Sequence, residues 1–248
     1  AKVYPALSNS SPLKKEILEN VDFIIIRELT SGLYFGEPKK RWIENDKRYA
    51  VDTLTYNEDE VRRVVKVGFE MAMKRNRKLH SLDKMNVMAS SRLWREIADE
   101  VSKDYPEVEL IHMLADNAAM QIITNPSEFD VLVTENTFGD ILSDEAAVIG
   151  GSMGMLPSAS LSSIPGQIDT DSKPALYEPI HGSAPDIAGQ GVANPIASIL
   201  STSMMLKWSF GLDEEAEEIE NAVNSLIDKG LRTKDLSDND SYLTTSQM

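Results

Sequence analysis

Hydrophobic and polar positions along the chain switch between two periods. The run Val21-Asp22-Phe23-Ile24-Ile25-Ile26-Arg27-Glu28 is almost continuously β-branched and aromatic and ends in charge, the pattern of a buried strand, and Thr30-Ser31-Gly32 breaks it. From Asn57 the spacing becomes helical. Val61, Val64, Val65 and Phe69 recur on one face, and Asn57 with Glu60 three residues later forms a capping-box pattern. Residues 75–78 read as a basic helix end, favourable against the helix dipole, followed by a short strand near 86–88. A helix with Leu93, Trp94, Ile97 and Val101 on one face comes next. Strands are predicted over 108–114 and 130–134, with a helix over 116–123 between them and another over 139–149. Asn194-Pro195 reads as a cap and a first-turn proline of a helix reaching Phe210, and Asp213 opens a last long helix with Ile219, Val223 and Leu226 inward.

Strands alternating with helices predict an α/β fold with a mainly parallel sheet. The stretch 150–191 differs: it is rich in Gly, Ser and Pro, and a long irregular region inside a compact protein is usually functional. A domain change is expected near its start, dividing the chain into residues 1–150 and 151–248. Lys39-Lys40-Arg41 reads as a solvated loop, and 237–248 as a loose polar tail.

Composition narrows the function classes. The chain has 248 residues, 42% hydrophobic and 26% charged, ordinary globular usage that excludes general disorder. Forty acidic residues against 25 basic ones leave a net charge of −15. Such a protein repels phosphate backbones and anionic headgroups, so nucleic acid and membrane surfaces are not expected partners. Any anionic substrate needs local cations or a metal to offset that field. There is no cysteine, which removes disulfides, thiolate metal sites and a cysteine nucleophile and fits a cytoplasmic location. No apolar run reaches membrane-span length, and no signal-peptide pattern opens the chain.

Five constellations could support chemistry. Asp140 and Asp144 share one helix face; two like charges repel there unless a divalent cation, such as magnesium, takes both carboxylates. Taken alone, such a pair is more often an exposed acidic face, although Ile141, Leu142, Ala146 and Ala147 beside it suggest partial burial. Asp116 follows an apolar strand, where α/β folds place ligands, yet aspartate there is also an ordinary helix cap. Lys84, between apolar neighbours, is a candidate general base or an exposed turn lysine. Arg27 at a strand end can grip a carboxylate with its planar fork, and Tyr34 can pass a proton; a salt bridge and a packed ring are the plain alternatives. Finally, 178–195 is dense in glycine and proline and fixes a loop in which Asp186 could accept hydrogen bonds from a ribose. No G-x-G-x-x-G or G-K-[ST] phosphate loop is present. His80, His112 and His181 are far apart in sequence, so a zinc hydrolase ligand set is not indicated, nor is a serine nucleophile elbow.

Together, in this order and spacing, these segments resemble the β-decarboxylating dehydrogenases, the isocitrate/isopropylmalate dehydrogenase family. The resemblance covers essentially the whole chain and is most specific over 27–38, 134–160 and 178–195. It is strongest to the branch acting on 3-isopropylmalate in leucine biosynthesis, with isocitrate, homoisocitrate and tartrate or malate as the alternatives. The resemblance implies NAD-dependent oxidation of a 2-hydroxy dicarboxylate followed by decarboxylation. Lys84 matches the base that takes the hydroxyl proton and Tyr34 the acid that protonates the enolate carbon. Arg27 and Asn86, together with Asp116, match substrate-binding positions. Asp116, Asp140 and Asp144 match the ligands of Mg2+ or Mn2+. His181, Gly182, Ser183, Ala184, Pro185, Asp186, Ile187 and Asn194 match the NAD loop, and Asp186-Ile187 resembles its NAD-preferring version, since a carboxylate repels a 2′-phosphate. Lys84 and Asp116 would come from the neighbouring subunit of a homodimer with shared active sites. Residues 1–150 would then be the substrate, metal and dimerisation domain, and 151–248 the C-terminal part of the cofactor domain. The family pattern begins upstream of Ala1 and ends beyond Met248, so the N-terminal part of one domain is expected to be missing. A non-catalytic scaffold or regulatory subunit of the same fold is the competing reading. It gives no physical reason for the full set of acid, base and aspartates.

Overall fold

The computed structural model describes residues 1–166, 174–237 and 241–248. The expectations for 150–191 and 237–248 fall in part on 167–173 and 238–240, which lie outside the described residues. In chain order the elements are α1 (Lys15–Leu18), β1 (Ile24–Arg27), β2 (Lys40–Glu44), β3 (Lys47–Val51), α2 (Glu58–Met73), β4 (Lys78–Asp83), α3 (Ala89–Ser102), β5 (Glu109–Leu114), α4 (Ala115–Thr124), β6 (Val131–Thr134), α5 (Asn136–Ile149), β7 (Pro157–Leu161), β8 (Ala175–Pro179), α6 (Ile196–Phe210) and α7 (Asp213–Asp228). Among the described residues no helix is long and apolar enough to cross a membrane.

The chain forms two compact units, residues 23–144 and residues 1–22 with 145–248. This differs from the division expected at residue 150, because the first segment folds with the last. Leu7 is buried in a cluster with Met155, Ile196, Leu200, Val223, Ile227 and Leu236. Lys2 bridges Asp22, and Arg232 Nη2 donates to the Ala6 carbonyl at 2.7 Å. A composition shift along the sequence marks where a segment changes character, not which distant segment it returns to.

The 23–144 unit is built on a four-stranded sheet of order β1-β6-β4-β5, parallel throughout. The apolar run of β6 takes a central place with Val131, Leu132 and Val133 fully buried, as expected for a strand covered on both faces. Helix α2 crosses β1, β6 and β4. Its start is the expected capping box: Asn57 accepts from the Asp59 and Glu60 amides while Glu60 reaches back to the Asn57 amide.

Four local expectations are corrected. The strand near 86–88 is instead β4, at Lys78–Asp83. Its run is interrupted by His80, Ser81 and Asp83, all buried and two of them satisfied: Trp94 Nε1 donates to Ser81 Oγ at 3.1 Å and Arg95 Nε to Asp83 Oδ2 at 2.8 Å. Polar residues with partners thus hid a buried strand. For the same reason 75–78 is not a helix end. Helix α2 stops at Met73, and Arg75 ties the following turn to Asp130 at 2.7 Å. Lys40 and Arg41 lie not in a loop but in β2, which pairs antiparallel with β3. The turn residues Asn45 and Asp46 have φ of 50° and 60°, the mirror-image turn that matches strand twist in a two-residue hairpin. Finally, the inward face of α7 is Ala216, Val223 and Ile227, with Ile219 and Leu226 half-buried beside it.

In the other unit, β7 and β8 form an antiparallel pair that packs on α6, and α6 packs on α7. Asn194 and Pro195 precede α6, with Pro195 at the N-cap rather than in the first turn as expected, and the Ile196 amide donates to Asn194 Oδ1 at 3.0 Å.

Candidate functional site

Arg27 ends β1, Lys84 directly follows β4, Asp116 lies in the first turn of the helix after β5, and Asp140 and Asp144 lie on the helix after β6. The candidate residues of this unit therefore lie outside the carboxyl ends of the parallel strands, where open α/β sheets bind ligands. They gather into two clusters.

The first cluster centres on Asp140. Arg27 Nη1 donates to Asp140 Oδ1 at 2.6 Å, and the Tyr34 hydroxyl donates to Asp140 Oδ2 at 2.8 Å. That hydrogen bond, with partial burial and the negative charge of Asp140, pushes the Tyr34 phenol above its ordinary value. Tyr34 ends a short 3-10 turn, Gly32–Tyr34. Its approach is fixed by Glu28, which is 2% exposed and accepts from the Thr30 amide and hydroxyl and the Ser31 amide at 2.6–2.9 Å. Gly32 is required there: its φ is +81°, and a Cβ would sit 2.3 Å from the Tyr56 hydroxyl oxygen. Glu135 caps α5 by accepting from the Thr137 and Phe138 amides at 3.0 and 2.7 Å, an acidic group at the positive end of a helix.

Asp140 and Asp144 are one turn apart on α5, with Asp144 exposed. The burial beneath them is as expected for Leu142, Ala146 and Ala147, while Ile141 is 61% exposed. Two carboxylates at this spacing offer the hard oxygen donors that magnesium and manganese take. Among the described residues, no three His, Asp or Glu side chains form a metal-holding group. Asp116 therefore does not complete the set within one chain.

The second cluster is Lys84 with Asp116. Strands β4 and β5 are neighbours, with Asp83 opposite Leu114, so the residues that follow them meet: Lys84 Nζ lies 2.6 Å from Asp116 Oδ1. The Lys84 hydrogen bond holds the Asp116 carboxyl below the usual carboxylate range. Asn86 is exposed in the turn after Lys84.

The loop candidates belong to the other unit. His181 follows β8, and His181 Nδ1 lies 2.9 Å from the Gly182 carbonyl oxygen. Gly182, Ser183, Ala184, Pro185 and Asp186 are exposed, and a Cβ at Gly182 would meet nothing within 4 Å. The turn Pro185–Ile187 is entered through Ala184 at φ +44°. Asn194 Nδ2 donates to Asp235 Oδ2 at 3.1 Å. The loop is exposed, and Asp186 stands in its 3-10 turn. Residues that sequence reasoning missed are Glu28, Glu135, Asn136 and Gly139. Glu135 directly follows β6 and Asn136 opens α5, and neither residue type carries a signal of its own.

Comparison with known proteins gives a consistent picture. The family model described as isocitrate/isopropylmalate dehydrogenase matches residues 1–248. The chain is 58% identical over 245 residues to the 3-isopropylmalate dehydrogenase of Priestia megaterium, covering 99% of this chain and 64% of that protein. It is 56% identical over 245 residues to the enzyme of the same name from Bacillus subtilis, covering 98% and 65%. The crystal structure of isocitrate dehydrogenase from Methylococcus capsulatus superposes with a TM-score of 0.81 at 35% identity, covering 92% of this chain and 65% of that one. The chain thus spans just under two thirds of the length of these relatives.

Proposed function

Because the chain belongs to the isocitrate/isopropylmalate dehydrogenase family, we propose that it serves NAD-dependent oxidative decarboxylation of (2R,3S)-3-isopropylmalate to 4-methyl-2-oxopentanoate, a cytoplasmic step of leucine biosynthesis. The observation that supports this most is the division of the site into two half-sites. Arg27, Tyr34, Asp140 and Asp144 form one, and the Lys84–Asp116 pair at 2.6 Å forms the other. A homodimer in which each chain offers Lys84 and Asp116 to its partner unites acid, base and three carboxylates. Two exposed features favour such pairing. The β2–β3 ribbon is exposed along nearly all its length, and a lone two-stranded ribbon is marginal in water. Met120, Ile141 and Val148 are 50–61% exposed on α4 and α5.

In this reading, residues 23–144 provide the substrate, metal and dimer functions, and the loop at 181–194 holds the cofactor. Arg27 clamps a substrate carboxylate, offsetting the protein's own negative charge. Lys84, as the neutral amine no longer donating to Asp116, receives the C2 hydroxyl proton as the C2 hydrogen leaves as hydride. Tyr34, its hydroxyl held by Asp140, delivers a proton to the substrate carbon freed of its carboxylate. Asp140, Asp144 and the partner's Asp116 would hold Mg2+ or Mn2+, and Asp186 would accept from the ribose hydroxyls of NAD. When bound, the metal polarises the C2 oxygen and NAD accepts the hydride.

The test is NADH formation by the full-length protein with magnesium, against 3-isopropylmalate, isocitrate, homoisocitrate, tartrate and malate. Preferred turnover of 3-isopropylmalate supports the reading, and preference for another acid overturns the substrate. Asp140→Asn should abolish metal-dependent turnover with the dimer intact; unchanged activity removes Asp140 from the ligand set.

A further inference from the structure

Asn136 is 1% exposed and is the first residue of α5. Its side chain makes three hydrogen bonds, all to the Asp140 cluster. Its Oδ1 accepts from Arg27 Nε at 3.1 Å and from Arg27 Nη2 at 2.8 Å. Its Nδ2 donates to the Ser31 carbonyl at 3.0 Å, immediately before the turn that presents Tyr34. Its own amide donates to the Tyr56 hydroxyl at 3.0 Å.

A guanidinium has five N–H donors in a rigid plane. Asn136 takes one from Nε and one from Nη2, and Asp140 takes one from Nη1. What remains is one N–H on each terminal nitrogen, free to donate to a substrate carboxylate. The acceptor that fixes the plane is neutral. A carboxylate in its place would compete with substrate for the arginine charge, in a chain whose net charge is already −15.

Resting on the function proposed above, we infer that Asn136 is the positioning residue that aims the Arg27 fork at a substrate carboxylate and, through Ser31, sets the turn carrying Tyr34. It touches no substrate itself. It couples the carboxylate clamp to the proton donor, so one side chain registers both groups against Asp140.

The test is a double-mutant cycle in the full-length enzyme: wild type, Asn136→Ser, Arg27→Lys and the double variant. Asn136→Asp serves as a same-shape partner that retains the acceptor oxygen but adds charge. Asn136→Ser and Asn136→Asp should each raise KM for the 2-hydroxy acid by about tenfold or more, with KM for NAD within about twofold of wild type. In the Arg27→Lys background, Asn136→Ser should have much less effect, because the group it orients is already lost. Equal rises in both KM values, or effects that multiply fully in the double variant, would overturn the inference. So would a wild-type KM in both Asn136 variants. If the wild type does not turn over 3-isopropylmalate, the substrate reading falls separately. The same proteins titrated calorimetrically with malate and magnesium then decide the matter: tenfold weaker binding in the Asn136 variants supports the inference, and unchanged binding or none by the wild type overturns it.

Discussion

Replacing Gly139 by alanine sets two known effects against each other. Gly139 lies in the first turn of α5, its amide donating to the Glu135 carbonyl at 2.9 Å. By helix propensity alone, alanine should stabilise such a position by up to about 1 kcal/mol. The new methyl, however, would sit 2.6 Å from Arg27 Cγ, 2.9 Å from its Cβ and 3.1 Å from its Cδ. The first of these is about 0.8 Å short of ordinary contact at 3.4 Å, and Arg27 Cβ is fixed to β1. Over-packing of this kind costs about 1–3 kcal/mol, so the propensity gain should be cancelled or exceeded. The stem of Arg27 must retreat, drawing its guanidinium off Asn136 and Asp140. A displacement approaching 1 Å at a reacting centre lowers kcat/KM by about a hundredfold. We expect Gly139→Ala to unfold at equal or lower urea concentration than wild type and to lose turnover of the 2-hydroxy acid chiefly through KM. A variant that gains about 1 kcal/mol and keeps its KM would refute the claim that Gly139 makes room for the clamp.

Other outcomes follow from features away from the clamp. Burial holds the His80 ring well below its ordinary 6.5, at about 4, so the folded protein resists a proton that the unfolded chain accepts. This contribution is intact above 6.5 and is lost as pH falls from 6.5 to 4, costing up to about 3 kcal/mol. His80→Leu should flatten that limb in urea unfolding measured across pH 4–7, and an unchanged limb would exonerate His80. Asn57→Ala removes the side-chain half of the α2 capping box, the acceptor of the Asp59 and Glu60 amides, and should cost about 1 kcal/mol, lowering the melting temperature by a few degrees; a scan with no shift would contradict it. Ile43, 72% exposed on the β2–β3 ribbon, is expected at the dimer contact. Ile43→Asp should raise the monomer fraction in sedimentation, and a mass that stays dimeric would move the contact elsewhere.

Strong periodicity was legible where apolar residues ran unbroken. The place of β1, the capping box of α2, the face of α3 and the extent of α6 could be read from residue order, although β1 is half-buried at the sheet edge rather than buried as expected. Strand β4 was not, because His80, Ser81 and Asp83 look like surface residues until Trp94 and Arg95 arrive from α3 to satisfy two of them. The β2–β3 hairpin was missed because its strands are charged on both faces and its turn is Asn45-Asp46 rather than a glycine pair. In the site, the aspartates, Lys84, Tyr34 and Arg27 stood out as single chemical groups. Asn136, Glu28 and Gly139 did not, since their roles lie in whom they touch: a neutral amide, a buried carboxylate and a missing methyl have no signature along the chain. The inward face of α7 was displaced for a related reason, because Leu7 and Leu236 decide which side of that helix is covered.

The return of residues 1–22 to the C-terminal segment bears on the order of assembly during synthesis. Residues 23–144 are contiguous and can acquire their sheet as soon as they leave the ribosome. Leu7 can join its cluster only after Met155, Ile196 and Val223 have been made. Closing so long a loop is slow compared with local folding.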